Sequence, residues 1–276
     1  MTELQSSILD IFKEFQRVCT ENNLRYYAIG GTCLGAIRHN GFIPWDDDLD
    51  VAMPLDDYQI FRDLWPQLLK EPYQVLDHEK VQHCSFSYLK LFNGDTTFIE
   101  QAVEAMPDRY TGIFMDIMPI AGWPNEKKTQ KLLQSKIVWY GRLNLYTRFN
   151  AEQLSTLKSK VVQALSRPIW SGKLFNHYSL KIENEIAQNA FGTTKYVLFP
   201  WRAKGRNVFS YEIFRESISV PFENTEICVP RGYDQYLTMD FGDYMMLPTE
   251  DKRHGEHTAA IIDFHKSFRE YQEAIK

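Results

Sequence analysis

The stretch Tyr27-Ala-Ile-Gly-Gly-Thr-Cys-Leu-Gly-Ala-Ile-Arg-His-Asn-Gly-Phe-Ile-Pro-Trp-Asp-Asp-Asp-Leu-Asp-Val-Ala-Met53 decides how this chain folds. A short apolar run, Tyr26 to Ile29, reads as a strand leading into Gly30-Gly31-Thr32, where Thr32 is placed to cap a short helix running to about Arg38. Asn40-Gly41 is a turn signal, and the spacing beyond it predicts a second strand around Asp48 to Met53, stopped by Pro54. In a strand, side chains two apart share a face, so Asp48 and Asp50 converge on one hard cation while Leu49 and Val51 face the core. Asp46 and Asp47 raise the local charge further, and carboxylates this dense repel unless a divalent cation or hydrogen bonds offset them. A bare run of acids is also the pattern of a solvated loop. Alternation with Leu49, Val51 and Met53 argues for a sheet instead, and the Gly-Gly pair offers unobstructed backbone amides suited to a phosphate.

Upstream, Leu4, Ile8, Ile11, Phe12, Phe15, Val18 and Cys19 recur at helical spacing, which predicts an amphipathic helix over residues 3 to 21. Downstream, Leu55 to Leu69 returns to helical spacing, and Tyr73 to Asp77, Ser85 to Phe92, Thr97 to Glu100 and Gly112 to Met118 are strand candidates. Asp116 is the only charge within the apolar strand Phe114-Met-Asp-Ile-Met118, and a lone buried carboxylate calls for a cation or a counter-charge. From Glu126 to about Asn189 the pattern is helical. Beyond it lie strand candidates at Tyr196 to Trp201 and Ile227 to Val229, a helix at Tyr233 to Phe241 and a terminal helix at Thr258 to Ala274. The fold class expected is α/β (α+β): a mixed sheet core flanked by helices, with an additional helical lobe. Residues 1–122 form the expected catalytic core, and 123–276 a helical lobe and C-terminal substrate-binding region packed on it.

The composition is that of an ordinary globular protein: 276 residues, 44% hydrophobic and 24% charged. A net charge of −5 gives no general pull toward nucleic acid. Met1 to Asn23 lacks a signal-peptide pattern and no apolar run is long enough to cross a bilayer, so a cytoplasmic protein is expected, with peripheral association at the inner face of a membrane left open. Cys19, Cys33, Cys84 and Cys228 are widely spaced and suggest neither a zinc site nor a disulfide framework.

The long first segment resembles the signature of the LicD family, which includes bacterial phosphocholine transferases and animal fukutin-type proteins. It also resembles the wider nucleotidyltransferase pattern of a Gly-Gly turn, an acid-apolar-acid strand and a later apolar-acid-apolar strand: Gly30-Gly31, Asp48-Leu49-Asp50 and Phe114-Met115-Asp116-Ile117. The likeness continues through Gly112 to Pro119 and through Tyr233 to Met245, followed by Pro248 and Lys252-Arg-His254. Pro248-Thr249 stands where the family often has two prolines, and the gap from Gly-Gly to Asp48 is longer than the common superfamily form.

The resemblance implies transfer of a substituted phosphate from CDP-choline, or another CDP-alcohol, to a sugar hydroxyl of a glycan or lipid-linked oligosaccharide such as teichoic acid or lipopolysaccharide, with CMP leaving. It implies two Mg²⁺ or Mn²⁺ ions held by Asp48 and Asp50, with Asp116 completing the site near the acceptor hydroxyl and Asp46 as a further ligand. Gly30, Gly31, Thr32, Arg38, Lys90, Arg253 and His254 are the candidate phosphate and substrate contacts. Lys90 is a lone cation in an apolar strand, for which an edge position with the ammonium reaching solvent is the competing reading. The His254/His257 pair lacks a third soft ligand nearby in sequence, which argues against a metal there. Trp45, Tyr88, Trp123 and Trp201 are candidates for cation–π contact with a choline head group. The alternative activity is a nucleotidyltransferase moving a nucleoside monophosphate from an NTP to a small hydroxyl compound, and a third reading is a silent binding or assembly subunit.

Overall fold

The computed structural model describes residues 1–77, 88–101, 104, 110–148, 175–201, 207–255 and 257–275. Cys84, the first residues of the Ser85 to Phe92 candidate strand and the middle of the expected helical lobe lie outside them.

Helix α1 (Glu3–Glu21) opens with a capping box, in which the Thr2 hydroxyl accepts from the Gln5 N–H at 3.1 Å and the Gln5 side-chain oxygen accepts from the Thr2 N–H at 2.9 Å. Its apolar stripe, Ile8, Ile11, Phe12, Phe15 and Val18, is buried in the core. Strand β1 (Tyr27–Ala28) leads into helix α2 (Gly30–His39), which ends at Asn40 in the left-handed conformation. Strand β2 (Asp50–Pro54) passes directly into helix α3 (Leu55–Leu68). Strands β3 (Tyr73–Leu76), β4 (Leu89–Asn93) and β5 (Thr97–Glu100) follow, then β6 (Phe114–Trp123), buried along all ten residues.

The main sheet runs β1-β2-β6-β4-β3, with β2 and β6 parallel and the other pairs antiparallel. Strands β7 (Tyr196–Leu198) and β8 (Val208–Ser210) extend it from the far end of β6, where Trp123 pairs with Tyr196. The mixed sheet flanked by helices is the class expected from sequence, and β6 explains why it read as continuously apolar: a central strand is covered on both faces. Helices α4 (Lys127–Arg148) and α5 (Phe175–Ile186) bear out the helical pattern after Glu126 at both ends of that segment. A buried ion pair, Arg62 to Glu183 at 2.9 Å, ties α5 to α3.

The short helix α6 (Tyr211–Phe214) precedes a hairpin of β9 (Ser217–Phe222) and β10 (Thr225–Pro230), and helix α7 (Tyr233–Phe241) follows. The terminal segment departs from expectation. Residues 259–263 form strand β11 (Ala259–Asp263), antiparallel to β5, and only Phe268–Ile275 is helical, as α8. The apolar run Ala259-Ala-Ile-Ile262 fits either a helix or a strand locally, and a partner strand some 160 residues earlier decides it. No helix among the described residues is long and apolar enough to cross a membrane.

Candidate active site

The glycine turn and the segment leading into the acidic loop are placed from three sides. Glu223, at the β9–β10 turn, accepts from the Phe42 N–H at 3.0 Å, while its own N–H donates to the Asn40 carbonyl at 2.8 Å. The buried Gln5 side chain of α1 donates to the carbonyls of Ile43 and Asp46 at 3.1 and 2.9 Å. Tyr236 of α7, fully buried, accepts the Gly30 N–H on its hydroxyl at 2.8 Å.

Strand β2 starts two residues later than expected, at Asp50, and Asp48 lies in the loop before it. Leu49 still bonds to the sheet, its carbonyl accepting from the Asp116 N–H at 3.0 Å. Thr32 does not cap α2. The helix starts earlier, after Ile29, and the Thr32 hydroxyl accepts the Asp50 N–H at 2.8 Å, fixing the first residue of β2. Gly30 has φ +55°, in the region that favours glycine. Gly31 lies against Asp46, where an added Cβ would come 2.7 Å from the carboxylate Oδ2. An anion beside the first turn of α2 meets the positive end of the helix.

Asp50 stands opposite Asp116 across β2 and β6, and Lys90 stands opposite Asp116 across β4 and β6. Lys90 is not at an edge. Its strand is covered by β3 on the other side, the residue is 1% exposed, and its ammonium sits 2.9 Å from Asp116 Oδ1 and 3.4 Å from the centre of the Phe114 ring. Tyr88 also hydrogen-bonds Asp116. Burial first, then the charges of Asp48 and Asp116, push the Asp50 carboxyl well above the ordinary range. Burial raises Asp116 as well, with Lys90 opposing. Carboxylates that repel in a buried position are a donor set suited to a hard divalent cation, and Asp48, Asp50 and Asp116 fit one on chemical grounds.

A second grouping was discounted in sequence. His257 lies with its Nε2 3.4 Å from Asp48 Oδ2 and its Nδ1 2.9 Å from Glu100 Oε1, while its N–H donates to Asp47 Oδ2 at 3.1 Å. Hydrogen bonds to Asp48 and Glu100 push the imidazole up to about 10, and the same contact draws Glu100 down. Ligand atoms of Asp47, Asp48 and His257 all fall within 4.8 Å of one another, so a metal ion there would be held by the histidine and carboxylates from a distant loop rather than by a nearby soft residue. His254 points elsewhere, into the cleft, with Nδ1 3.1 Å from the Gly255 carbonyl oxygen.

The cleft, about 560 Å³, has Gly30, Gly31, Asp46, Asp48 and Asp50 on one side. Arg38, Trp45, Phe241, Tyr244, Lys252 and His254 complete much of its wall. Arg38 donates to the Tyr244 carbonyl at 2.8 Å and so holds the segment after α7 against α2. Arg253 donates to the Pro248 carbonyl at 2.9 Å and lies over the Trp45 ring at 5.5 Å. Asp116 and Lys90 lie buried beneath this surface, adjoining Asp50 through the sheet. Of the four aromatic candidates, Trp45 lines the cleft, whereas Tyr88 packs by Lys90, Trp123 is buried in β6 and Trp201 packs on Phe199.

Comparison with known proteins meets this geometry from outside. Residues 23–160, from before β1 into α4 and beyond, match the model of the LicD/FKTN/FKRP nucleotidyltransferase domain. The chain is 31% identical over 265 residues to the lipopolysaccharide cholinephosphotransferase LicD of Haemophilus influenzae, an alignment covering 93% of this chain and 96% of that protein. Uncharacterized proteins of Rickettsia typhi and Rickettsia prowazekii are each 34% identical over 86 residues, which is 31% of this chain and 28% and 32% of theirs. The likeness to the Haemophilus protein runs nearly end to end and the family match takes in the glycine turn, the acidic loop and Asp116 together, so this chain belongs to the LicD family.

Proposed function

We propose that the protein is a metal-dependent phosphotransferase that moves phosphocholine, or a related phospho-alcohol, from a CDP-linked donor to a sugar hydroxyl of a cell-surface glycan, releasing CMP. The observation that carries the reading is the placement of Asp48 and Asp50 in a cleft walled by the Gly30–Gly31 turn, with Asp116 opposite Asp50 on the adjoining strand. The name of the Haemophilus relative supports phosphocholine and lipopolysaccharide as the chemical class.

Asp48 and Asp50 are the residues to hold Mg²⁺ or Mn²⁺, with Asp116 behind them and Asp46 at the rim. A bound divalent cation supplies charge neutralisation on the transferred phosphate and its leaving group. Around it, the guanidinium of Arg38 and the ammonium of Lys252 give the cleft wall positive character suited to a diphosphate, with His254 beside them as a hydrogen-bonding group. Phe241, Trp45 and Tyr244 offer aromatic faces to a quaternary ammonium group. With Asp116 enclosed, the acceptor hydroxyl meets the surface carboxylates Asp48 and Asp46 first, and these are the groups within reach to take its proton. Residues 123–276, which supply α7 and the basic segment, form the substrate-binding half in this reading.

The test is incubation of the purified protein with Mg²⁺ and a panel of CDP-choline, CDP-ribitol and CDP-glycerol, with and without sugar acceptors, reading CMP. Release of CMP from CDP-choline in preference to the others is expected. Pyrophosphate release from an NTP, with no turnover of any CDP-alcohol, would establish the nucleotidyltransferase reading instead.

A further inference from the structure

We infer that Glu100 and His257 form a positioning pair that aims the Asp48 carboxylate, and that Asp47 ties this pair to the acidic loop rather than binding the metal. This rests on the metal-dependent reading above and concerns what holds one of its carboxylates in place.

Asp50 and Asp116 owe their positions to the sheet. They stand opposite each other across β2 and β6, the Thr32 hydroxyl accepts the Asp50 N–H, and the Leu49 carbonyl accepts the Asp116 N–H. Asp48 has no place in that ladder. It lies in the loop before β2 with its side chain 21% exposed, and a loop carboxylate must give up rotamer freedom before it can hold an ion. Among the described residues its polar partner is His257, whose Nε2 lies 3.4 Å from Asp48 Oδ2.

The His257 ring is itself fixed. Its Nδ1 is 2.9 Å from Glu100 Oε1, and the buried rings of Phe98 and Phe114 meet it edge-on, with centroids 6.3 and 5.7 Å away. With one nitrogen on Glu100 and an aromatic ring against it on each count, the imidazole is held with Nε2 toward Asp48. The backbone is fixed as well. The His257 N–H donates to Asp47 Oδ2 at 3.1 Å, and Gly255 passes so close that an added Cβ would lie 2.2 Å from the same oxygen. The next carbonyl, that of Thr258, accepts the Gln101 N–H at 2.9 Å and begins the pairing of β11 with β5. Glu100 is the last residue of β5, so one ribbon supplies both the ring and the group that orients it.

This arrangement sorts the acids of the loop. Asp46, Asp48 and Asp50 line the cleft, whereas Asp47 is taken up by the His257 backbone. Both ring nitrogens of His257 face carboxylates, which accept hydrogen bonds and donate none, so neither nitrogen offers a lone pair to a metal. The grouping of Asp47, Asp48 and His257 is thus a brace, and His257 acts on the ion through Asp48.

Mn²⁺ alone, with no nucleotide, is titrated into the chelator-stripped full chain and followed by calorimetry and pulsed electron paramagnetic resonance. Tight binding to wild type is expected, with no directly coordinated imidazole nitrogen from His257. His257→Gln and Glu100→Ala should each weaken Mn²⁺ about tenfold, as loss of a group that orients a metal ligand does. The double variant should bind about as its weaker parent does, because the two residues act in series through Asp48; losses that multiply would mean two separate structural defects and overturn the pair. Asp47→Asn keeps an acceptor for the His257 N–H and should lose less than His257→Gln; a larger loss would make Asp47 a ligand and overturn its assignment. A nitrogen coupling in wild type that vanishes in His257→Gln would make the ring a ligand, and unchanged affinity in a folded His257→Gln protein would reduce it to packing. Either result overturns the inference and leaves the metal-dependent reading standing, whereas no tight binding to wild type would overturn both. If His257→Gln does not fold, Glu100→Ala and the wild-type spectrum still decide.

Discussion

Asp50→Asn should stabilise the metal-free protein and at the same time abolish its response to metal. Asn keeps the shape of the side chain and removes a charge that burial, Asp48 and Asp116 all oppose, with Lys90 in its favour. At an effective dielectric of about 20, each close charge pair is worth ~2–4 kcal/mol. Repulsions from Asp48, Asp116 and, most weakly, Asp46 set against the one attraction leave a gain on the order of 2 kcal/mol, or about 4–8 °C in Tm for a chain of this size. The sign with pH follows from the raised pKa. The unfolded carboxyl titrates near 3.9 and the folded one higher, so the folded state keeps a proton that the unfolded state has lost. The charge penalty is absent below about pH 4, grows as pH rises toward the folded-state value, and is constant above it. The Tm difference between variant and wild type, measured by differential scanning fluorimetry in EDTA, should therefore be near zero at pH 4 and larger at pH 7.5. Excess Mg²⁺ should raise wild type and leave the variant unmoved, because the ion binds only the folded site. An Asp50→Asn protein that melts at or below wild type in EDTA at neutral pH would refute this account.

Asp48→Asn and Asp116→Asn should each lower CMP release by more than about 10²-fold, and the double variant should fall little further, because the carboxylates act as one unit; steady-state kinetics on single and double variants checks this. Arg62→Met and Glu183→Gln each strand the other member of a buried pair and should cost about 3–5 kcal/mol in urea unfolding, whereas changing both to methionine should restore most of that loss. Gly31→Ala places a methyl 2.7 Å from Asp46 Oδ2 and should raise the donor KM about tenfold with a Tm change under about 3 °C, since the displaced atom ends a side chain that can swing.

Much of this was legible because it is local. The helical stripe of residues 3–21, the turn at Asn40 and the buried acid in an apolar strand each follow from spacing within one segment. What was not legible depends on partners far away in sequence. Thr32 looked like a cap because hydroxyls before helices usually are; it bonds instead to Asp50, an interaction set by how β2 returns beside α2. Lys90 looked exposed because nothing nearby in sequence balances it, and its counter-charge sits on β6. His257 looked like half of a pair with His254, but β11 turns it toward Asp48 and Glu100. Nothing in the first helix announces that the Gln5 amide braces the acidic loop.

Strand β6 is buried along its whole length and hydrogen-bonded to β2, β4 and β7 in turn. Amides of a strand buried and paired in this way are of the kind expected to exchange with deuterium only on opening of the whole domain. Asp116 is therefore anchored in the centre of the sheet, while Asp46, Asp47 and Asp48 hang on a loop braced from outside by Gln5, Glu223 and His257. The two sides of the site have separate stabilities.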